Sequence, residues 1–137
     1  MKTKGYLLDT NICISMLKNQ HDVREAILKV KPENCYVSEI TLGELYFGAS
    51  FSNNKEERLK DVAFVVDLFK VIPVSETLPL CGDIKADLRR EGKLIDDFDI
   101  LIGCAAILNH LTIVTDNIKH LGRLPGIIVE NWTNRSI

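Results

Sequence analysis

Short apolar runs alternate with helix-patterned stretches along nearly the whole chain, and this alternation restricts the fold more than any other feature. Strand-like runs fall at Gly5 to Leu8, Cys35 to Val37, Val71 to Val74, Thr112 to Thr115 and Ile127 to Val129. Pro73 removes a ladder donor, which places its strand at an edge or a strand end. A helix over Ile12 to Lys18 has Thr10 and Asn11 as N-cap types. Asp22 caps the next, with Val23, Ile27 and Val30 on one face. Thr41 begins another helix carrying Leu42, Leu45, Tyr46 and Ala49. Asn53-Asn54 breaks it and starts a longer one, with Leu59, Val62, Ala63, Val66 and Phe69 at helical spacing. Ser75 precedes a helix with Leu80, Ile84 and Leu88 inward, and Gly92 ends it. The stretch from about Asp97 to Asn109 is apolar nearly all round and is expected to be buried. A short helical turn follows near Ile118 to Leu121. Strands that alternate with helices pair in parallel through crossovers. The predicted fold class is therefore α/β, a three-layer α/β/α sandwich with a central parallel sheet, as one domain over residues 1–137.

In such a sheet the carboxyl ends of the strands line one crevice, where ligands bind. Four acids fall at that end: Asp9, Glu44, Asp99 and Asp116. Each also has a plain structural explanation. Asp9 suits a turn or a cap. Thr41-Leu42-Gly43-Glu44 reads as a capping box, with Glu44 reaching back to the Thr41 amide. Asp99 belongs to Asp96-Asp97-Phe98-Asp99 at a helix N-terminus, where the macrodipole favours acids. Gly103 and Ala106 share its face, and small residues there would lie close against neighbouring backbone. Asp-Asn at 116–117 is a cheap turn. Their common end of the sheet makes the functional case: four converging carboxylates repel unless a cation neutralises them. Hard oxygen donors without a matching cysteine or histidine set favour Mg2+, with Mn2+ plausible, over zinc.

Composition narrows the setting. A chain of 137 residues suffices for one core, and 46% hydrophobic with 26% charged residues is ordinary for a globular protein. The net charge of −2 gives no global positive field to announce nucleic acid. No apolar run is long enough for a bilayer and no signal-peptide core is visible, so no membrane role is expected. Cys13, Cys35, Cys81 and Cys104 are scattered through apolar contexts, which suits reduced thiols in a cytoplasmic protein. His21, His110 and His120 have no ligand spacing and read as surface or cap residues.

The ordered motifs resemble those of PIN-domain ribonucleases, specifically the VapC-type toxins of prokaryotic toxin–antitoxin modules. The matching residues are Leu7-Leu8-Asp9-Thr10-Asn11, Ser38 through Leu45 with Gly48, Gly92 through Ile95 with Asp99-Ile100-Leu101-Ile102, and Val114-Thr115-Asp116-Asn117, then Pro125-Gly126 and Asn131-Trp132. Gly103 stands where the family commonly has alanine. The fourth acid varies in the family between aspartate and asparagine, which leaves Asp116 and Asn117 as alternatives. The resemblance implies a metal-dependent endoribonuclease toxin that inhibits translation, a VapB-type antitoxin partner and a homodimer. Asp9 through Ile14 is similar to a subgroup that cleaves initiator tRNA in the anticodon loop.

On this reading Asp9 and Asp99 are the principal metal ligands, and Glu44 is a ligand or the group that orients and deprotonates water. Asp116 supports a second metal or holds the first through water, with Thr115 and Asn117 hydrogen-bonding beside it. Lys85, Arg89, Arg90 and Lys93 on one side, and Lys119, His120 and Arg123 on the other, are candidate RNA-phosphate contacts. Tyr46, Phe47 and Phe51 could stack a base, but core or dimer packing is the better explanation for helical aromatics. The rival readings are a phospho-acceptor protein and a non-catalytic PIN-like module that binds RNA or protein. The first wants a second acid close to Asp9 and a lysine at a later strand end; Asn11 and Thr115-Asp116 stand there instead.

Overall fold

The computed structural model describes residues 4–133. Five strands form one sheet: β1 (Tyr6–Leu8), β2 (Cys35–Ser38), β3 (Lys70–Ile72), β4 (Thr112–Val114) and β5 (Val129–Glu130). Every pair is parallel and the spatial order is β3-β2-β1-β4-β5. The chain thus builds outward from β1 on one side, then returns to lay β4 and β5 on the other. That reversal puts a topological switch point between β1 and β4, the place where open α/β sheets take their ligands. Pro73 directly follows β3, which lies at the sheet edge as its proline required.

Seven helices cover the two faces among the described residues: α1 (Thr10–Leu17), α2 (Val23–Val30), α3 (Glu39–Phe51), α4 (Lys55–Leu68), α5 (Leu78–Arg90), α6 (Asp97–Leu108) and α7 (Ile118–Leu121). The strands' period-2 alternation sorts their side chains between two cores. Leu8, Val37 and Val114 pack with Ile12, Met16, Ile27, Val62, Val65 and Trp132, from α1, α2, α4 and the C-terminal segment. Leu7 and Ile113 point the other way, onto Ile84, Leu88, Ile100, Ile102 and Leu121 of α5, α6 and α7. Side chains of this size stabilise by roughly 1.5–3 kcal/mol each when fully buried, so two such layers suffice to clamp short strands. The three-layer sandwich expected from the alternation is what forms.

All four cysteines are free, three buried and Cys81 half-buried. Burial pushes the Cys35 and Cys104 thiols up to about 12, which leaves them inert packing groups. No helix among the described residues is long and apolar enough to cross a membrane.

Local boundaries correct the sequence reading in three places. Helix α1 is capped by Asp9, not by Thr10 or Asn11: its side chain accepts from the Thr10 amide. Asp22 occupies the N-cap position of α2 in a left-handed conformation, φ 57°, and makes no side-chain cap. Helix α3 starts at Glu39, two residues before the expected Thr41, because Ser38 caps it by accepting from the Ile40 amide at 3.0 Å. Helix α5 ends as predicted. Gly92 takes φ 69°, and the amides of Gly92 and Lys93 donate to the carbonyls of Arg89 and Leu88.

Candidate active site

The acid at the end of β1 is pinned at the switch point. The Asp9 amide donates to the Val114 carbonyl at 2.9 Å, continuing the β1–β4 pairing one residue past the strand. Its side chain is 6% exposed. One carboxylate oxygen accepts from the Thr10 amide at 2.8 Å and the other from the Thr115 hydroxyl at 2.7 Å. Burial pushes the Asp9 carboxyl above the usual range; the Thr115 and Thr10 hydrogen bonds oppose the rise, and the charge of Asp116 adds to it.

Glu44 enters from α3. It makes no capping box, since Thr41 lies inside the helix and is fully buried. Its Oε1 instead accepts from the Thr10 hydroxyl at 2.5 Å, and that hydroxyl lies 3.1 Å from the hydroxyl of Thr41. The residue that looked like a local cap therefore ties α3 to α1, across 34 residues of sequence.

Asp99 is half-buried in the first turn of α6 and accepts from the Asn117 side-chain amide at 3.3 Å. Burial pushes its carboxyl up to about 6. The charges of Asp9, Asp96 and Glu44 push the same way, and His120 opposes them. Asp96 takes the capping role by accepting from the Phe98 amide, leaving Asp99 to face the crevice chemistry. Gly103, four residues on, meets side chains and not backbone. A Cβ there would stand 2.8 Å from Leu124 Cδ2 and 3.1 Å from Leu121 Cδ1, so the small residue admits leucines from the α7 region.

The two alternatives for the fourth position both lie at the C-terminal end of β4 and have different partners. Asp116 is exposed and accepts from the Asn11 side-chain amide at 3.4 Å. Asn117 reaches Asp99, while its own amide donates to the Thr115 hydroxyl at 2.9 Å. One chain of hydrogen bonds thus runs Glu44, Thr10, Asp9, Thr115, Asn117, Asp99. It joins three acids from three separate elements, with Asp116 beside it as the outer member. Thr10 and Thr41 in the hydrogen-bonded chain, and His120 as a charge beside Asp99, went unassigned in these roles by sequence reasoning. Only the spacing of Thr10 directly after Asp9 carried a signal for any of them.

The donors suit a hard divalent cation in kind: three carboxylates and an amide oxygen, with too little positive charge nearby to relieve their repulsion. Among the described residues no three acid, imidazole or thiol groups converge into a ready-made cage. Asp9 and Glu44 occupy their oxygens with threonine and backbone donors instead. The candidate RNA contacts are partly engaged elsewhere. Lys85 pairs with Asp97 at 2.8 Å and Arg90 with Asp87 at 3.1 Å. Arg89 and Lys93 are exposed at the end of α5, and the Lys93 carbonyl accepts from Arg123.

Known proteins are similar to this chain across nearly its full length. A family model described as PIN domain matches residues 6–125. Ribonuclease VapC2 of Rickettsia felis is 33% identical over 130 residues, spanning 93% of this chain and 97% of that protein. The tRNA(fMet)-specific endonuclease VapC of Salmonella typhimurium is 31% identical over 128 residues, with 93% and 97% covered. Among solved structures, that of VapBC2 from Rickettsia felis bound to a DNA fragment from its promoter aligns with a TM-score of 0.84 at 32% identity. It covers 93% of this chain and 98% of that one.

Proposed function

The chain belongs to the PIN-domain family, among its VapC-type ribonucleases, and from that premise we propose a metal-dependent endoribonuclease that hydrolyses RNA phosphodiesters. The observation that carries the reading is the hydrogen-bonded chain linking Asp9, Glu44 and Asp99 at the β1–β4 switch point. Asp9 and Asp99 would hold a divalent ion, Mg2+ or Mn2+, with Glu44 and Asp116 or Asn117 completing the set. When bound, that ion supplies an acidified water and draws charge from the phosphoryl oxygens.

The chain's own residues have definable tasks. Thr115 and the Thr10 amide fix both oxygens of Asp9 and favour its ionised form. The Thr10 hydroxyl orients Glu44, whose second oxygen would take a proton from the attacking water. Asn117 orients Asp99. Water attacking phosphorus with the ribose 3′-oxygen as leaving group gives a 5′-phosphate and a 3′-hydroxyl, the expected products. The basic ends of α5 and α7 offer phosphate contacts, with Arg89 and Lys93 the less encumbered on the α5 side.

The tRNA(fMet) specificity of the Salmonella relative supports tRNA as the substrate here, and thereby inhibition of translation in the cytoplasm. Solved VapBC complexes support an antitoxin partner of the same kind. A basic antitoxin side chain entering the acidic crevice would compete with the metal. The family resemblance supports a homodimer as part of this proposal.

Incubation with total tRNA in Mg2+ or Mn2+, followed by sequencing of RNA ends, tests the proposal. Discrete cuts are expected from the wild type, and a rate lower by at least about 100-fold, of the order of a lost catalytic group, from Asp9→Asn and Asp99→Asn. Equal cutting by these variants would overturn it. A non-catalytic PIN-like module is the second reading, favoured by the lack of a ready-made three-ligand cage among the described residues. RNA retained without cleavage at any metal concentration would select it.

A further inference from the structure

Beside the acid chain, sharing only its end member Glu44, opens a cleft of about 710 Å³. It is lined by Ile40, Gly43 and Phe47 of α3, by Phe98 of α6, and by the carboxylate-bearing Glu39 and Glu44. A space of this size suits a small planar ligand. Its aromatic walls are borne by the same elements as the acids. Phe98 directly precedes Asp99, and Phe47 follows Glu44 by one helical turn. Both rings are open to solvent, Phe98 at 49% and Phe47 at 71% exposure, and Phe47 is braced by a stacked Phe51 at 6.0 Å.

Gly43 is unexplained by packing. A Cβ added there meets nothing within 4 Å, and glycine within a helix is less stable than alanine. Glu39 is held by one oxygen, which accepts from the Val74 amide at 2.7 Å. Its other oxygen accepts from no group among the described residues.

We propose that this cleft seats an unpaired nucleobase of the RNA, adjacent to the phosphate handled by the acid chain, with Phe47 and Phe98 as stacking faces and Glu39 reading the base edge. The position of that phosphate rests on the nuclease reading above. Two carboxylates line the cleft, so an RNA phosphate is repelled from it. A base brings the opposite: flat apolar faces, which stack on phenyl rings, and N–H donors along its edge. A carboxylate accepts readily from the exposed amino groups of adenine and cytosine. The single base N–H of uracil lies between two carbonyl oxygens that the carboxylate repels. The cleft therefore favours adenine or cytosine over uracil.

Fluorescence anisotropy with labelled single-stranded RNA octamers tests this, using calcium in place of magnesium. The probes are oligoadenylate, oligocytidylate, oligouridylate and a length-matched abasic ribose-phosphate chain. For the full wild-type chain, the first two should bind about tenfold or more tighter than the abasic probe, as expected of one stacked base. Phe98→Ala should erase most of that difference. So should Gly43→Leu, which fills the cleft with a good helix former and keeps or raises the melting temperature, so a loss there is not unfolding. Glu39→Gln should abolish the preference over uridylate. Abasic RNA binding as tightly as intact RNA would overturn the proposal, as would full base dependence in Phe98→Ala and Gly43→Leu. If Phe47→Ala instead converted a dimer to a monomer by light scattering with base dependence intact, the aromatic face would belong to a second copy and the proposal would fall. Cleavage in magnesium is read separately, so failure of the nuclease reading is distinguishable from failure of this one.

Discussion

Asp9 and Asp99 resolve the same problem in different ways. Asp9 is almost fully buried but is given two hydrogen bonds that favour its ionised form, whereas Asp99 has one long contact from Asn117. Removing the stronger support has a signed consequence. Thr115→Val leaves the desolvation of Asp9 unopposed on one side, so its carboxyl rises further, and a buried acceptor loses its donor at a cost of about 1–3 kcal/mol. NMR titration of Asp9 and a urea midpoint check both parts. Asp99 bears on stability in the opposite sense from an ordinary paired acid. Its folded value, about 6, lies above the reference 3.8, so the folded chain binds more protons in between. Metal-free stability should then fall as pH rises from about 4 to 6 and level off above, and Asp99→Asn should flatten that slope. Denaturant midpoints across this window, without divalent ions, measure it.

Single helices were readable in existence but not always in how they begin. Asn53-Asn54, Pro73 and Gly92 mark boundaries by backbone chemistry alone, and the structure puts them where that chemistry demands. The misread starts of α1 and α3 share one cause: a polar residue with a tertiary partner mimics a local cap. Thr41 and Glu44 satisfy the capping-box spacing, yet the partner of both is Thr10 on another helix, invisible to any local rule. Ser38→Ala should consequently cost about 1 kcal/mol through loss of the real cap. Thr41→Ser, which keeps the hydroxyl, should cost less in the same urea midpoint measurement. The Gly103 position of α6 was likewise read as a helix seated on backbone, when it seats on leucines. Gly103→Ala gains about 1 kcal/mol of helix propensity but forces Leu124 Cδ2 away from a 2.8 Å approach. Since that atom ends a flexible side chain, the two effects should nearly cancel.

At the scale of the molecule, the site was legible because topology concentrates it. Asp9 and Thr115 follow neighbouring strands on opposite sides of the order reversal, so parallel pairing alone brings them together. What topology does not dictate is which side chain at a strand end turns inward, and this is why Asp116 and Asn117 stay alternatives: Asn117 reaches Asp99, while Asp116 stands outside on Asn11. The same concentration makes a global prediction. Asp9 and Asp99 are held above the ordinary carboxylate range by burial and neighbouring charge, so their ionisation weakens the fold, and a divalent ion relieves both causes at once. A ligand that binds only the folded chain stabilises it by RT ln(1 + [L]/Kd), about 2.7 kcal/mol at a hundredfold excess over Kd. The melting temperature should therefore rise by several degrees in saturating Mn2+ or Mg2+ at pH 7.5. At pH 5 the rise should be much smaller, since Asp99 is then mostly protonated and must lose its proton to bind. Asp9→Asn, by removing a repelling charge, should raise the metal-free melting temperature and abolish the metal response together. A metal-induced shift that is equal at both pH values, or that survives Asp9→Asn and Asp99→Asn, would place the cation outside this crevice.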